Sequence, residues 1–150
     1  MLTKRQNLSL HVLWLTLTRS AVRLAVPFLG NIIAGKSEAT EIRQEGCVMV
    51  DPELIKLPKN ARTFALQVRG DSMQNAGILE GDVVVMEFRE ARHGDVVAAL
   101  IDGETTLKRF IVHNGTAYLR AANPKYPDLI PANELVIQGV QVALLRLSKR

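Results

Sequence analysis

The sequence predicts a mainly β fold: a small domain of hairpins, partly closed into a barrel-like shape, with a short N-terminal arm. Three observations carry this. Asp102-Gly103 and Asn114-Gly115 each separate two apolar, β-branched runs. A two-residue type I′ turn needs positive φ at both central positions, which Asp-Gly and Asn-Gly tolerate. Phe64, Leu66 and Val68 alternate with Ala65, Gln67 and Arg69, the period of a half-buried strand. No helical periodicity of useful length follows residue 50.

In chain order, residues 1–27 form the arm, helical or disordered. Lys4 and Arg5 precede the apolar run around Leu8, Val12, Leu13, Trp14 and Leu15, which resembles the start of an export signal. Ser9 and His11 interrupt that run, Arg19 and Arg23 follow it closely, and no small-x-small cleavage site lies at the right distance. The run also falls short of the roughly 20 residues that a membrane span needs. No membrane partner and a cytoplasmic location are therefore expected. Pro27 ends any helix before it. Residues 28–150 are expected to form one domain that begins with a segment of about 28–46. Within it, Phe28 to Gly35 is apolar with small residues, and Lys36 to Glu41 is polar. Ala34-Gly35 has no bulk beyond Cβ, so an extended chain there can thread a narrow cleft. A β-strand ending in a turn fits the same spacing.

Pro52 and Pro58 mark loops. Strands are expected at Thr63 onward, Val83–Met86, Val96–Ile101, Thr105–Val112 and Ala117–Arg120. Asn123 to Pro127 reads as a loop, and Leu135 to Leu147 as one or two closing strands. A length of 150 residues and a hydrophobic fraction of 47% fit one domain with a real core.

The net charge of +4 is partly terminal, from Lys4, Arg5, Arg146, Lys149 and Arg150. It permits weak contact with nucleic acid and does not require it. The single Cys47 excludes an intramolecular disulfide and fits a reducing compartment. There is no Cys/His cluster of the kind zinc needs, so neither a metal nor a cofactor is expected.

The candidate chemistry lies in Gly70-Asp71-Ser72-Met73 and Thr106-Leu107-Lys108-Arg109. A serine in a tight polar turn is followed, 36 residues later, by a lysine inside an apolar run. A serine hydroxyl can act as a nucleophile when an uncharged lysine takes its proton. Free lysine titrates near pH ~10.4, so it serves as a base only where burial disfavours its charge. Val96 to Ile101 before it and Phe110 to Val112 after it suit that need. Strand alternation puts Lys108 on the face of Thr106 and Phe110, with Arg109 pointing out. The plain alternative is a turn serine and a solvated basic pair.

The boxes Gly70-Asp71-Ser72-Met73, Gly77-Ile78, Glu80-Gly81-Asp82, Gly94-Asp95-Val96-Val97 and Thr106-Leu107-Lys108-Arg109, with Ala34-Gly35 upstream, resemble the self-cleaving peptidase domain of LexA repressors and UmuD proteins. The resemblance covers roughly residues 28 to 147. It implies Ser72 as nucleophile and Lys108 as general base. It implies the backbone N–H groups of Asp71 and Ser72 as oxyanion donors. It implies cleavage of the Ala34–Gly35 bond, with Ile32 and Ile33 anchoring the segment. It further implies a homodimer through the last strands, and cleavage favoured by a RecA-type recombinase filament on single-stranded DNA. Signal peptidases share the chemistry but carry a glycine-proline-rich box after their lysine that is missing here.

The departure is N-terminal. A LexA repressor has a winged helix-turn-helix before its linker, and residues 1–27 are too short for one. The chain then reads either as a LexA-type repressor lacking its DNA-binding half or as a UmuD-like accessory factor of an error-prone DNA polymerase. Sequence-specific DNA binding is not expected of this chain alone. Two further readings fit the same residues: a non-catalytic dimerisation module, and a membrane-tethered protease of the signal-peptidase kind.

Overall fold

The computed structural model describes residues 22–29 and 46–148. Among these described residues, eight strands follow in chain order: β1 (Leu24–Pro27), β2 (Cys47–Val50), β3 (Thr63–Gln67), β4 (Val83–Glu87), β5 (Val96–Ile101), β6 (Glu104–His113), β7 (Thr116–Arg120) and β8 (Leu135–Leu145). Among the described residues the only helical element is a 3-10 turn at Gln74–Ala76. β1 and β2 pair with each other, and the other six strands form one sheet in the order β3-β4-β8-β5-β6-β7. The fold is mainly β, as expected, and neither sheet closes on itself.

The two dipeptide turns make the hairpins they encode. Asp102 and Gly103 have φ of 47° and 89°, and Asn114 and Gly115 have 49° and 76°. The flanking pairs Ile101↔Glu104 and His113↔Thr116 close directly onto them. This builds β5-β6-β7 as a local meander. The closing segment is a single strand. β8 is central, pairing with β4 on one side and β5 on the other. Its register shifts opposite Val85/Met86 and again opposite Ala98/Ala99. Such bulges let a long strand bend with the sheet's twist.

Two findings correct the sequence reading. Leu24–Pro27, assigned to a helical or disordered arm, is a strand: Leu24 pairs with Val50 and Pro27 with Cys47. Its short apolar run has no helical period, and non-local pairing decides its conformation. Pro27 falls at the strand's end, where a missing N–H is tolerated. Second, β3 is not half-buried. Phe64 and Leu66 pack with Met73, Ile78, Val84 and Met86 on one face. Ala65, expected outside, packs with Val26, Val50 and Val85 on the other. The small β1-β2 sheet covers that face, so alternation does not separate core from solvent there.

The chain leaving β1 also leans on the free edge of β3. Phe28 donates to the Gly46 carbonyl at 3.0 Å, Leu29 donates to the Ala65 carbonyl at 3.0 Å, and Phe28 bridges Ala65 in parallel. The expected anchors Ile32 and Ile33 and the Ala34–Gly35 bond lie outside the described residues, as does the rest of the arm. No helix among the described residues is long and apolar enough to cross a membrane.

Candidate active site

Ser72 lies in the turn that follows β3. Gly70, at φ +74°, turns the chain where a side chain would be strained. Met73, next to the serine, is buried in the core. It pins the turn from below and leaves Ser72 at the lip of a cleft. Gln74 N–H and Asn123 Nδ2 donate to the Asp71 carbonyl at 3.2 and 3.0 Å. Tyr126 donates its hydroxyl to Asp71 Oδ1 at 2.5 Å. That bond is the main cause holding the Asp71 carboxyl below its usual range. Among the described residues, no internal acceptor takes the Ser72 backbone N–H.

Lys108 comes from the middle of β6, opposite Val97 of β5. It is only 7% exposed although it carries an ammonium group. Its Nζ lies 2.9 Å from Ser72 Oγ, 2.6 Å from Thr106 Oγ1 and 3.1 Å from the Leu107 carbonyl. Burial pushes its pKa below the ordinary lysine value, and no neighbouring carboxylate counters that. The three partners match the chemistry of both protonation states. An ammonium donates to all three. A free amine donates two hydrogen bonds and offers one lone pair, and the Leu107 carbonyl can only accept. One hydroxyl must then donate to nitrogen, and Ser72 can fill that role.

The cleft has a volume of about 170 Å³. Leu66 to Gly70, with Ser72 and Met73, form one wall and Thr105 to Lys108 the other, over Val84 and Ala98. The expected inward aim of Lys108 holds. Arg109 is half-buried rather than out, because its guanidinium donates to the Gly94 carbonyl at 2.7 Å. No cluster of three or more His, Cys, Asp or Glu that could hold a metal occurs among the described residues.

Sequence reasoning read Asn123 to Pro127 as a plain loop. The structure brings Asn123 and Tyr126 against the serine turn across separations of 52 and 55 residues. Asn-Pro is a turn signal, and nothing local distinguishes a turn asparagine from one that grips a distant carbonyl. Thr106 and Lys108, by contrast, are two apart on one strand, so their contact follows from the period.

A family model described as Peptidase S24-like matches residues 27–142. The LexA repressor of Verrucomicrobium spinosum is 51% identical over 121 residues, covering 81% of this chain and 60% of that protein. The LexA repressor of Opitutus terrae is 41% identical over 126 residues, 83% of this chain and 63% of that protein. LexA repressor 1 of Nocardia farcinica is 43% identical over 124 residues, 82% of this chain and 56% of that protein. The chain thus spans about three fifths of the length of these curated relatives.

Proposed function

The chain belongs to the S24-like peptidase family, and from that premise we propose that it is a self-cleaving serine endopeptidase of the LexA type, with Ser72 and Lys108 as its dyad. The observation that carries this reading is the 2.9 Å contact between Lys108 Nζ and Ser72 Oγ at a buried, pKa-lowered lysine.

In this mechanism the neutral Lys108 amine takes the Ser72 proton as Oγ attacks the Ala34 carbonyl. The oxyanion is met by the backbone N–H groups of Ser72 and Asp71; one such donor typically contributes about 3–4 kcal/mol to lowering the barrier. The intermediate collapses as Lys108 returns the proton to the Gly35 nitrogen, which leaves as a free amine. An ester joins Ala34 to Ser72. Water then attacks it, giving its proton to Lys108, and Ser72 is released with its hydroxyl restored. One water is consumed per bond cleaved.

The described chain is consistent with this choice of bond: it runs from β1 onto the edge of β3, the strand that leads into the serine turn, with Phe28 bridged in parallel to Ala65. In this reading Ile32 and Ile33 serve as the apolar anchors of the cleavage segment. An intramolecular substrate avoids the entropic cost of a second-order encounter, so restraint has to come from the position of the segment. In the proposed regulation, a RecA-type filament on single-stranded DNA shifts the segment towards the docked position after DNA damage, a population shift between two states.

The matched relatives are named as LexA repressors, which favours a repressor of the damage response over a polymerase accessory factor. A homodimer through β8 belongs to the same reading. DNA recognition is not assigned to the described residues, whose only helical element is the turn Gln74–Ala76.

The test is incubation of the purified chain alone at about pH 10, where lysine loses its charge without a trigger, followed by intact mass. A fragment beginning at Gly35, absent in Ser72→Ala and Lys108→Ala, is expected. An intact wild-type chain at every pH would overturn self-cleavage.

A further inference from the structure

The serine turn is gripped by a loop from the opposite end of the sheet. This loop leaves β7 and is closed at its base by mutual backbone bonds between Leu119 and Leu129, at 3.0 and 2.8 Å. Arg120 reinforces the base, donating to both carboxylate oxygens of Asp128. At the tip, Asn123 is 3% exposed, the burial of a core residue. Its Oδ1 accepts the Lys125 N–H at 3.0 Å, which orients the amide so that Nδ2 donates to the Asp71 carbonyl at 3.0 Å. Tyr126 adds its hydroxyl bond to the Asp71 carboxylate, and Asn75 N–H donates to the Ala122 carbonyl at 2.8 Å. The turn is therefore held by side chain and backbone together.

The grip falls on one particular peptide unit. The Asp71 carbonyl and the Ser72 N–H belong to the same planar, trans peptide, so they point in opposite directions. Fixing the oxygen fixes the direction of the N–H. We propose that Asn123 is a positioning residue that aims the Ser72 N–H as an oxyanion donor by holding the Asp71 carbonyl, with Tyr126 as its auxiliary. This rests on the reading of Ser72 as nucleophile. Neither side chain touches the reacting atoms; both act through Asp71.

A positioning role differs from a merely structural one in what it moves. Lys108 is on the other wall of the cleft, and its titration sets the pH midpoint of the reaction. Misaiming the donor lowers the plateau rate and leaves that midpoint alone. Asn123→Asp keeps the shape but sets a carboxylate against the Asp71 carbonyl. Tyr126→Phe keeps the ring and removes one hydroxyl; Tyr126 is 42% exposed, so this variant retains the fold.

The full chain carrying either substitution is followed by intact mass across an alkaline pH series, with labelling of Ser72 by a small fluorophosphonate as a second readout independent of the cleavage segment. Loss of a whole oxyanion donor costs about 100- to 1,000-fold in rate, so misaiming by Asn123→Asp is expected to cost about 10- to 100-fold at the plateau. A smaller loss is expected for Tyr126→Phe, and an unchanged pH midpoint for both. A folded Asn123→Asp variant with the wild-type plateau, or one whose midpoint shifts while the plateau stays, overturns the inference and leaves the dyad standing. Should Asn123→Asp fail to fold, Tyr126→Phe decides: an unchanged plateau overturns the inference and a lowered one supports it. A wild-type chain that neither cleaves nor labels overturns the dyad, and this inference with it.

Discussion

Lys108 Nζ and Ser72 Oγ stand 2.9 Å apart, although 36 residues separate them in the chain. β6 delivers the lysine on a strand paired along its length, and the turn after β3 delivers the serine. Folding buries an ammonium-bearing side chain, which costs stability. The sign follows from burial. The folded pKa of Lys108 is lowered and the unfolded one is ordinary. In the window between the two, the folded state holds fewer protons, so stability rises with pH there. Below the folded value the full cost is present. Lys108→Met keeps an unbranched stem without the charge. It is expected to raise Tm at neutral pH, by about 2–4 °C for each kcal/mol relieved, and to flatten the alkaline rise. Thermal melts at neutral and alkaline pH read both effects. A variant no more stable than wild type at neutral pH would show that the buried amine costs nothing.

Thr106→Val removes the hydroxyl 2.6 Å from Lys108 Nζ without changing the side chain's shape. The amine then loses a partner that fixes its direction towards Ser72. On the proposed mechanism, the rate of alkaline self-cleavage is expected to fall about tenfold, as small misplacements of a reacting group do, with the fold intact. Thr106→Ser, which restores the hydroxyl, is expected to recover most of the rate. Equal rates for valine and threonine would mean that the Leu107 carbonyl alone orients the amine.

Asp82 and Arg146 tie the serine-turn region to the end of β8. Asp82 is 2% exposed and accepts hydrogen bonds from Arg146 Nε and Nη2, both at 2.7 Å, and from the Leu79 N–H at 2.8 Å. The Arg146 bonds are the main cause holding the Asp82 carboxyl below its usual range. A depressed carboxylate gives stability that is present above its unfolded pKa, near ~3.9, and is lost as pH falls through the folded value. Asp82→Asn is expected to cost about 1–3 kcal/mol at neutral pH, since Arg146 and the Leu79 N–H lose the charge of their buried acceptor. The gap to wild type should shrink in acid, below about pH 4. Urea midpoints at neutral pH and in acid measure it, and a gap that persists unchanged in acid would count against the ion pair as its source.

These contacts differ in how far the sequence reveals them. Asp102-Gly103 and Asn114-Gly115 encode their hairpins locally, because the required φ is a property of the dipeptide itself. Ser72 and Lys108 read as a pair only through the resemblance of their boxes to a known family; their separation and the apolar run around the lysine leave a turn serine and a solvated basic pair open. The β1-β2 pairing is not legible, because Leu24–Pro27 is too short to show a period and its partner, Cys47–Val50, lies beyond a long excursion. Ala65 reads as outward for the same reason: the sheet that covers it is invisible locally. Asn123 reads as a turn residue, and its grip on Asp71 appears only once β7 has been placed beside β6.

Gly139 reports on the tightest packing of the central strand. A Cβ there would stand 2.8 Å from Phe64 Cε1, 2.9 Å from Phe64 Cζ and 3.1 Å from Met86 Cβ. Phe64 is 3% exposed, and its ring lies 4.7 Å from that of Phe88, so it has little room to retreat. Gly139→Ala is therefore expected to destabilise the fold by about 1–3 kcal/mol, the usual cost of overpacking a filled core. The cause is the ring and not the backbone. Phe64→Leu should then relieve part of the cost, so that the double variant is more stable than the two single losses summed, a coupling expected of residues in contact. Urea unfolding of the four proteins closes the cycle. Additive losses would mean that β8 shifts as a whole to admit the methyl group, and the contact with Phe64 would not be what requires glycine at this position.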